Sequence, residues 1–453
     1  MKIKASQLYS YLSLPKPEDI KSELMSIHID TRVMKKENPS IFIAIRGENF
    51  DGHDFFSEAI ENGAVICIAH TDYLEKGDEV NFIFVEDTLL ALQQIAAGIR
   101  SESSIPWIGI TGSAGKTSTR NFIGQLLKTS GPVLETIKNN NNQIGVPLTV
   151  FDLETEHNFS IVEAGTNHFG EIKPLADILR PSIGVITNIG PTHLEFLENI
   201  EGVAKEKAEL LKSIPANGVA ILNEESLMFE YLKSQCDCKV ISFGLSSGDY
   251  KIEDKILKND GCVVTINGHQ YQLPFKESHY LANFLASLVV ALELGIPISD
   301  LQESCQGLKP AANRLEVVLK TPIVLIDDSY NASYDSMLAA FEVLQNNTLA
   351  KRKIIILGDM KELGEQSTAL HERLIVELNK FKFDGVIING PELINASALI
   401  DCAETHAFEC KDELISFCLS YIQSNDAVLV KASRSMNFDE VILAIKNKWK
   451  GNI

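Results

Sequence analysis

The residues best suited to chemistry lie in one short segment, Thr111-Gly-Ser-Ala-Gly-Lys-Thr117, which follows a predicted strand and opens a predicted helix. Gly112 and Gly115 allow the backbone to turn tightly, so that its N–H groups can point at phosphate oxygens, and the start of the helix adds positive potential. Lys116 can neutralise the β- and γ-phosphates of a nucleotide, and the Thr117 hydroxyl can bind Mg²⁺. The segment predicts a phosphate-binding loop, with the nucleotide contacts Gly112, Ser113, Ala114, Gly115, Lys116, Thr117 and Ser118.

This loop is a relative of the strict phosphate-loop motif, because Ile110 stands where that motif has a glycine. The alternative is a glycine-rich turn that only joins a strand to a helix. The sequence Gly-Lys-Thr at a strand–loop–helix junction favours the phosphate loop.

Two more polar side chains follow predicted strands. Glu163 ends the run Ile161-Val-Glu163, and His193 lies just beyond Val185-Ile-Thr-Asn188. Ligands of parallel sheets bind where the carboxyl ends of the strands meet, so both side chains could face the Mg²⁺ of a bound nucleotide. The alternatives are a solvated carboxylate for Glu163 and a capping or packed imidazole for His193.

The elements that must position these residues alternate between strand and helix. Residues 86–100 predict a connecting helix, and a hairpin is expected around Asn267-Gly268. Strands are predicted in the centre at 107–111, 160–162, 185–188 and 219–222, and later at 323–326, 353–357, 385–388 and 427–430. Such alternation predicts right-handed crossovers and mainly parallel sheets, hence an α/β fold.

Three segments follow from this pattern. Residues 1–84 mix short β-rich runs such as 41–45 and 64–69 with turns and predict a small α/β domain. Residues 85–313 predict a central phosphate-loop ATPase-like domain with a mainly parallel sheet. Residues 314–453 predict a Rossmann-like C-terminal domain.

Composition excludes several classes of protein. The 453 residues are 45% hydrophobic and 23% charged, and the formal net charge is −20. Those fractions fit a packed globular chain, and so acidic a chain does not suit sequence-independent nucleic-acid binding, although one pocket can still take an anion. No apolar run approaches the ~20 residues of a membrane span, and the first residues do not resemble a secretory signal. Eight scattered cysteines favour a reduced, cytoplasmic protein.

Motifs spread along the chain resemble those of the Mur ligase family of ATP-dependent amide-forming enzymes. Each is weak alone, but their order along nearly the whole chain is specific. In the first segment they are Asp30-Thr-Arg32, 42–47, 51–55 and Gly63-Ala64. In the centre they are 111–117, 141–147, 163–171, 187–195 and 279–283. At the end they are 313–316, 327–332, 357–364 and 431–434.

The resemblance implies an activity. The family's dipeptide-adding branch joins D-alanyl-D-alanine to the terminal carboxylate of UDP-N-acetylmuramoyl-tripeptide, through an acyl phosphate, in cytoplasmic peptidoglycan precursor synthesis. ATP would be the co-substrate, with two Mg²⁺ ions. The expected partners are these small molecules, with no nucleic acid and no membrane span, and the expected chain is a monomer.

The resemblance also assigns residues by position. Lys116, Glu163, His193 and Lys207 would be catalytic, with Thr117, Glu163 and His193 binding the metal. Lys207 aligns with a lysine that several relatives carry as a carbamate; an ordinary solvated lysine is the alternative. Asn283, Arg314 and Asp328 would contact ATP, the last two when the third domain closes about a hinge between Lys309 and Asn313. The expected contacts with the UDP-sugar are Thr31, Arg32 and Asn142, and those with the dipeptide are Tyr330, Asn331, Lys431, Ser433 and Arg434. Thr166, Asn167 and His168 are further expected substrate contacts.

Departures from the family pattern affect fine substrate contacts more than the reaction. Relatives usually have Met and Ala at the positions of Ala164 and Thr166, and Pro at that of Phe169. They usually have Gly at the position of Ala432 and often Lys at that of Arg46. The tripeptide-forming branch usually carries an Asp-Asn-Pro-Arg segment, which is absent here. Folate-polyglutamate ligases share the phosphate loop, but a domain like the first one here has no role in them. A phosphate-loop switch, a kinase or a silent binding protein remain alternatives that phosphate-release assays would distinguish.

Overall fold

The computed structural model describes residues 1–18, 23–47, 49–73, 81–258, 260–311, 314–347, 350–401 and 404–450. They divide into two compact units. The first consists of residues 1–109, 131–166 and 170–182, and the second of residues 110–130, 167–169 and 183–453. No described helix has both the length and the apolar character needed to cross a membrane.

The first unit begins with a five-stranded sheet in the order β1-β2-β3-β4-β5. Strands β2 to β5 are parallel, and β1 is antiparallel to β2. The strands are β1 (Ile3–Lys4), β2 (Leu24–His28), β3 (Ser40–Ile43), β4 (Ala64–His70) and β5 (Asn81–Val85); the helices are α1 (Ala5–Tyr11), α2 (Phe56–Glu61) and α3 (Thr88–Glu102). Apolar side chains of this sheet and of α2, including Phe42 of β3 and Phe56 of α2, pack into a small core.

Seven strands make up the largest sheet. They are β6 (Trp107–Thr111), β7 (Val133–Glu135), β8 (Phe159–Glu163), β9 (Ile183–Ile186), β10 (Val219–Asn223), β11 (Lys239–Gly244) and β12 (Tyr250–Lys251). The helices between them are α4 (Lys116–Leu127), α5 (Gly145–Phe151), α6 (Ile172–Leu179), α7 (Leu194–Leu197), α8 (Ile200–Lys212) and α9 (Phe229–Ser234). In the first unit β7 pairs in parallel with β8; in the second the parallel order is β12-β11-β10-β9.

A three-stranded antiparallel sheet follows in the second unit. It consists of β13 (Asp254–Lys258), β14 (Gly261–Ile266) and β15 (His269–Leu273), and helices α10 (Ser278–Glu293) and α11 (Ile298–Cys305) come next. Asn267 and Gly268 form the tight turn between β14 and β15 with φ of 47° and 75°. Positive φ at both positions is the geometry that an Asn-Gly hairpin requires, so this prediction is confirmed.

We call the part of the chain that carries the last sheet the third domain. Its six strands lie in the order β16-β17-β21-β18-β19-β20, all parallel except β16. They are β16 (Glu316–Leu319), β17 (Val324–Asp328), β18 (Arg352–Gly358), β19 (Gly385–Asn389), β20 (Glu404–Phe408) and β21 (Asp426–Lys431). The helices are α12 (Tyr334–Gln345), α13 (Ser367–Leu378), α14 (Pro391–Ala396), α15 (Lys411–Tyr421) and α16 (Asp439–Lys450).

One apolar cluster of the second unit contains side chains from both the largest sheet's segment and the third domain. Leu194 and Leu197 of α7 belong to it, as do Met360 and Leu363 of the loop after β18. Helices α15 and α16 cover the other face of the six-stranded sheet and form a second apolar cluster with it. Burying apolar area of this kind is the main stabilising term, at about 25 cal/mol per Å².

The predicted strands correspond to observed strands, and their ends differ by at most two residues. The largest shift is at 185–188, since β9 covers Ile183–Ile186 and leaves Thr187 and Asn188 in the following loop. The predicted α/β fold is confirmed, whereas the boundaries 84/85 and 313/314 stay predictions. Asn313, at the end of the expected hinge, and Cys402 lie outside the described residues, and the seven described cysteines are free thiols.

Candidate active site

The phosphate loop has the backbone that its glycines predict. Gly112 and Gly115 have φ of 149° and 83°, and α4 begins at Lys116. A β-carbon on Gly112 would lie 2.0 Å from Thr187 Oγ1, and one on Gly115 would lie 2.4 Å from Asn283 Oδ1. Only glycine therefore fits at these two positions.

The segment after β9 holds the loop in shape through hydrogen bonds. The Ala114 N–H donates to Asn188 Oδ1 at 2.7 Å, and the Ser113 N–H donates to the Asn188 carbonyl at 3.1 Å. The Thr187 hydroxyl donates to the Ala114 carbonyl at 2.5 Å, and the Gly190 N–H donates to Ser113 Oγ at 3.0 Å. These bonds fix the segment that ends at His193 to the phosphate loop.

Two lysines approach each other near the loop. The Lys116 ammonium donates to the Gly112 carbonyl at 2.6 Å. Lys207 lies on α8, and its side chain is fully buried. Burial, together with repulsion from Lys116, holds the pKa of Lys207 well below its ordinary value, although Glu206 acts in the opposite direction. Burial and Lys116 thus favour the neutral amine over the solvated cation that is usual for lysine.

Helix α10 places Asn283 against the loop. Its Oδ1 accepts a hydrogen bond from the Thr119 hydroxyl at 3.4 Å. One turn earlier, both ring nitrogens of His279 are buried without a hydrogen-bond partner among the described residues. Burial, reinforced by Lys431, lowers the pKa of His279 to about 3, so its ring is neutral. The Tyr280 hydroxyl donates to the Arg314 carbonyl at 3.1 Å, which ties α10 to the start of the third domain.

His193 contacts the third domain. Its Nδ1 lies 2.5 Å from Glu362 Oε2, in the loop after β18. The hydrogen bond from His193, opposed by partial burial, lowers the pKa of the Glu362 carboxyl. The side chains of His193 and Glu362 are 20% and 45% exposed, so one side of this pair is open.

Asp328 and Lys431 end adjacent strands of the third domain, and both are buried. The Lys431 ammonium donates to Asp328 Oδ2 at 2.6 Å and to the Asn331 carbonyl at 2.9 Å. The Leu315 N–H donates to Asp328 Oδ1 at 3.2 Å. Burial raises the pKa of Asp328 and lowers that of Lys431, while the attraction within the pair opposes both shifts.

Tyr330 lies between two arginines just beyond β17. The guanidinium of Arg314 lies 4.2 Å from the centre of its ring, and that of Arg434 lies 6.0 Å away. The Asn331 side chain accepts from the Arg434 N–H at 3.3 Å. The Ser433 hydroxyl is buried and accepts from the Lys361 N–H at 2.8 Å. The predicted contacts of this domain thus form one cluster.

The side-chain amide of Asn188 connects the phosphate loop to the third domain. While Asn188 Oδ1 accepts from Ala114, its Nδ2 donates to Asp335 Oδ2 at 3.1 Å. Burial raises the pKa of the Asp335 carboxyl, and Arg373 and the Asn188 bond oppose that shift.

In the first unit, Glu163 is buried at the end of β8, and its N–H donates to the Thr136 hydroxyl at 2.9 Å. The Thr166 hydroxyl donates to Glu171 Oε2 at 3.2 Å. Asn142 Oδ1 accepts from the Gly145 N–H at 2.8 Å at the start of α5. This bond gives the Asn142 side chain a role in the turn before α5 that the sequence analysis did not predict.

Two predicted sugar-nucleotide contacts lie in a short 3₁₀ turn after β2. Arg32 is exposed and pairs with Asp30 at 2.7 Å, while Thr31 is buried. Within the described residues, no hydrogen bond or ion pair joins Thr31 or Arg32 to Asn142. In the second unit, the ring of His168 packs on that of Phe196, with centroids 4.2 Å apart, and Asn167 is its neighbour in the chain.

Family models match three parts of the chain. They describe a Mur ligase family catalytic domain at residues 23–100, a Mur ligase middle domain at 110–291, and a Mur ligase glutamate ligase domain at 313–434. A UDP-N-acetylmuramoyl-tripeptide–D-alanyl-D-alanine ligase from Synechocystis is 36% identical over 94% of this chain and 92% of its own length. The chain belongs to the Mur ligase family.

Solved structures of Mur ligases agree with this assignment. The MurF crystal structure from Acinetobacter baumannii has a TM-score of 0.88 and 28% identity, over 99% of each chain. MurF ligase from Thermotoga maritima in complex with ADP has a TM-score of 0.82 and 26% identity, over 95% of this chain and 99% of that one.

Sequence reasoning missed three residues of this Mur ligase's site. Asn188, Asp335 and Glu362 connect the predicted residues, yet none was predicted as a contact. Asn188 and Glu362 lie inside motifs that were recognised, so their polar side chains in the loops after β9 and β18 were the available signal. Asp335 carried no such signal.

Proposed function

We propose that this Mur ligase uses ATP to join D-alanyl-D-alanine to the terminal carboxylate of UDP-N-acetylmuramoyl-tripeptide, releasing ADP and phosphate. The observation that carries the proposal is the connection of the phosphate loop to the third domain through Asn188. One end of this amide shapes the loop that would hold the triphosphate, and the other contacts the domain that would hold the dipeptide. The similarity to D-alanyl-D-alanine-adding relatives supports the choice of substrates.

The reaction proceeds in two steps. A carboxylate oxygen of the tripeptide attacks the γ-phosphorus, the bond to the β-phosphate breaks, and ADP leaves. The amine of the dipeptide then attacks the acyl carbon, phosphate leaves, and the amine loses a proton. The first step brings two anions together, so catalysis depends on neutralising charge and on alignment. Lys116 and the loop amides supply that charge at the phosphates.

The donor set fits magnesium. Thr117, Glu163 and His193 would hold the ions, and among the described residues no three His, Cys, Asp or Glu side chains gather in one group. Mg²⁺ commonly binds through one or two carboxylates together with substrate phosphates and waters, so it needs no complete protein cage. When bound, Mg²⁺ neutralises the triphosphate and polarises the γ-phosphate.

Lys207 fits a carbamate. Carbon dioxide reacts with the neutral form of an amine, and burial lowers the pKa of Lys207, which favours that form. The amine loses a proton as the new N–C bond forms, and the product is an anion that Lys116 would attract. It would also add oxygen ligands for a second Mg²⁺ beside His193.

In the third domain, the contacts divide the roles. Lys431 is already paired with Asp328 inside the protein. The Arg434 side chain is 60% exposed, and its ion pair with the exposed Asp439 is long, at 3.6 Å. Arg434 is therefore the better partner for the free carboxylate of the dipeptide. Tyr330 and Asn331 would flank it, and Arg314 would reach the phosphates. The first domain, with Thr31 and Arg32, would bind the UDP-sugar. We place the enzyme in the cytoplasm and expect a monomer.

Phosphate release tests the proposal. ATP and Mg²⁺ are supplied with UDP-muramoyl-tripeptide, with D-alanyl-D-alanine, or with both, and the UDP-linked product is identified by mass spectrometry. We expect sustained release and the pentapeptide product only when both are present. Release without either acceptor would contradict the proposal and favour a nucleotide switch.

A further inference from the structure

Two loops that are far apart in sequence meet at His193 and Glu362. Nδ1 of the imidazole lies 2.5 Å from Glu362 Oε2, across 169 residues of sequence. His193 directly precedes α7, and Glu362 lies between β18 and α13 of the third domain. Both residues belong to the second compact unit.

Both residues have a backbone conformation that side chains disfavour. φ is 54° at His193 and 63° at Glu362. Residues with a β-carbon rarely adopt the left-handed region, so neighbouring contacts must hold them there. The Glu195 N–H donates to the Glu362 carbonyl at 3.2 Å, and Gln366 Nε2 donates to the Glu198 carbonyl at 3.2 Å.

Apolar packing fixes the same two loops. Met360 and Leu363, on either side of Glu362, are buried in the cluster that contains Leu194 and Leu197. The position of the Glu362 backbone is therefore set by packing and main-chain bonds. The Glu362 carboxylate can therefore bind the imidazole while other contacts keep the loop in place.

The contact determines which ring nitrogen of His193 is available. An imidazole that donates its Nδ1–H to a carboxylate keeps the lone pair on Nε2, and metal-binding histidines commonly have such a partner. We propose that Glu362 is a positioning residue for His193, which fixes the Nδ1–H tautomer and presents Nε2 to the metal. This inference rests on the metal role of His193 in the proposed function.

Glu362 belongs to the third domain, whereas His193 belongs to the central segment. The imidazole is thus oriented only while the loop after β18 is docked on α7. The metal site of the first chemical step then becomes complete through the domain that brings the second substrate, which limits phosphate transfer before the dipeptide domain is in place.

Nitrogen NMR of the metal-free protein tests the tautomer directly. The full chain is labelled with ¹⁵N-histidine, and the His193 signals are assigned by their loss in His193→Asn. We expect the Nδ1–H tautomer in the wild type and in Glu365→Ala, and a mixture of tautomers in Glu362→Ala. Glu365 is the matched control, because it is exposed on the same loop and has no hydrogen bond or ion pair among the described residues.

Mn²⁺ binding, followed by electron paramagnetic resonance with ADP present, gives the second readout. Removing such a partner typically weakens metal affinity by about 10–100-fold, so we expect that loss in Glu362→Ala, partial recovery in Glu362→Gln, and wild-type affinity in Glu365→Ala. In activity assays kcat should fall while the KM for D-alanyl-D-alanine stays unchanged.

Two outcomes would overturn the inference: an unaltered His193 tautomer in Glu362→Ala, or unaltered Mn²⁺ affinity in both Glu362 variants. Glu362→Gln keeps the shape of the side chain and guards against a folding defect in the alanine variant. Failure of the proposed function itself appears differently, since His193→Asn would then leave Mn²⁺ affinity unchanged while the tautomer result still held.

Discussion

Asp328 and Lys431 stand directly opposite each other on the parallel strands β17 and β21, and their side chains form an ion pair of 2.6 Å inside the protein. The sequence analysis assigned them to different ligands, ATP and the dipeptide. Their pairing means that each is first of all the counter-charge of the other. Any ligand that uses one of them must compete with this pair or extend it.

Breaking this pair should destabilise the protein strongly. Removing one partner leaves a buried charge uncompensated, which typically costs about 3–5 kcal/mol. We expect a loss of that size in the free energy of urea unfolding for Lys431→Met, and a smaller loss in the double variant Asp328→Asn/Lys431→Met. Lys380→Ala, which breaks the exposed pair with Glu377, is the control and should cost less than about 1 kcal/mol. Equal losses of stability in Lys431→Met and Lys380→Ala would contradict the argument.

Full activity should require Lys207, and a small carboxylic acid should partly restore the activity of a variant that lacks it. In Lys207→Ala we expect kcat to fall by about 10–100-fold, the usual effect of losing metal support, and to recover partly when acetate is added. Native mass spectrometry should find one carbon dioxide adduct in the wild type and none in the variant.

Lys205 provides the matched control for Lys207, since it lies two residues earlier on α8 and is exposed. Lys205→Ala should keep full activity and the adduct. An unmodified, fully active wild type would show that the amine, and not a carbamate, is the working group.

Gly112→Ala should weaken nucleotide binding. The added β-carbon would lie 2.0 Å from Thr187 Oγ1, and φ of 149° disfavours any side chain. Displacing Thr187 also breaks its bond to the Ala114 carbonyl. We expect ATP affinity, measured by isothermal titration calorimetry, to fall at least tenfold, which corresponds to about 1.4 kcal/mol.

The control for this substitution is Gly268→Ala in the hairpin turn. φ there is 75°, but a β-carbon would meet nothing within 4 Å. The variant should lose roughly 1 kcal/mol of stability from backbone strain and keep its ATP affinity. Loss of ATP affinity in both variants would indicate that strain, and not the clash with Thr187, is responsible.

Asp335 should make stability depend on pH. Burial raises its pKa in the folded protein, whereas in the unfolded chain the carboxyl ionises near its ordinary pKa of about 3.9. As the pH rises above that value, the folded state binds more protons at this site than the unfolded state does, so this site lowers the free energy of unfolding.

Asp335→Asn removes that dependence. We expect the stability of this variant relative to the wild type to increase as the pH rises above about 4, measured by urea unfolding at several pH values. Asp254→Asn, on the exposed strand β13, should show no such trend. A relative stability of Asp335→Asn that falls with rising pH would contradict the assigned direction.

The strands could be predicted from sequence where they are buried on both faces. β18 and β21 are nearly continuous apolar runs, and such runs are typical of parallel sheets covered by helices. The edge strands β16 and β20 of the six-stranded sheet were missed: most of their side chains are exposed or half-buried, and neither periodicity nor length distinguishes them from loops.

The site was predictable where its chemistry is local. The phosphate loop needs two glycines, a lysine and a threonine within seven residues, and the structure confirms its backbone. Contacts such as Asp328 with Lys431 depend on the register of strands that lie 103 residues apart. Burial of Lys207 likewise depends on what packs against α8, which no local pattern specifies.

The two bonds of Asn188 have a thermodynamic consequence. Suppose that bound nucleotide orders the loop around Asn188 Oδ1 and so favours the bond from Asn188 to Asp335. Formation of that bond by the third domain must then raise the affinity for nucleotide by the same factor. Dipeptide and ATP would therefore promote each other's binding reciprocally, in part through the Asn188 amide.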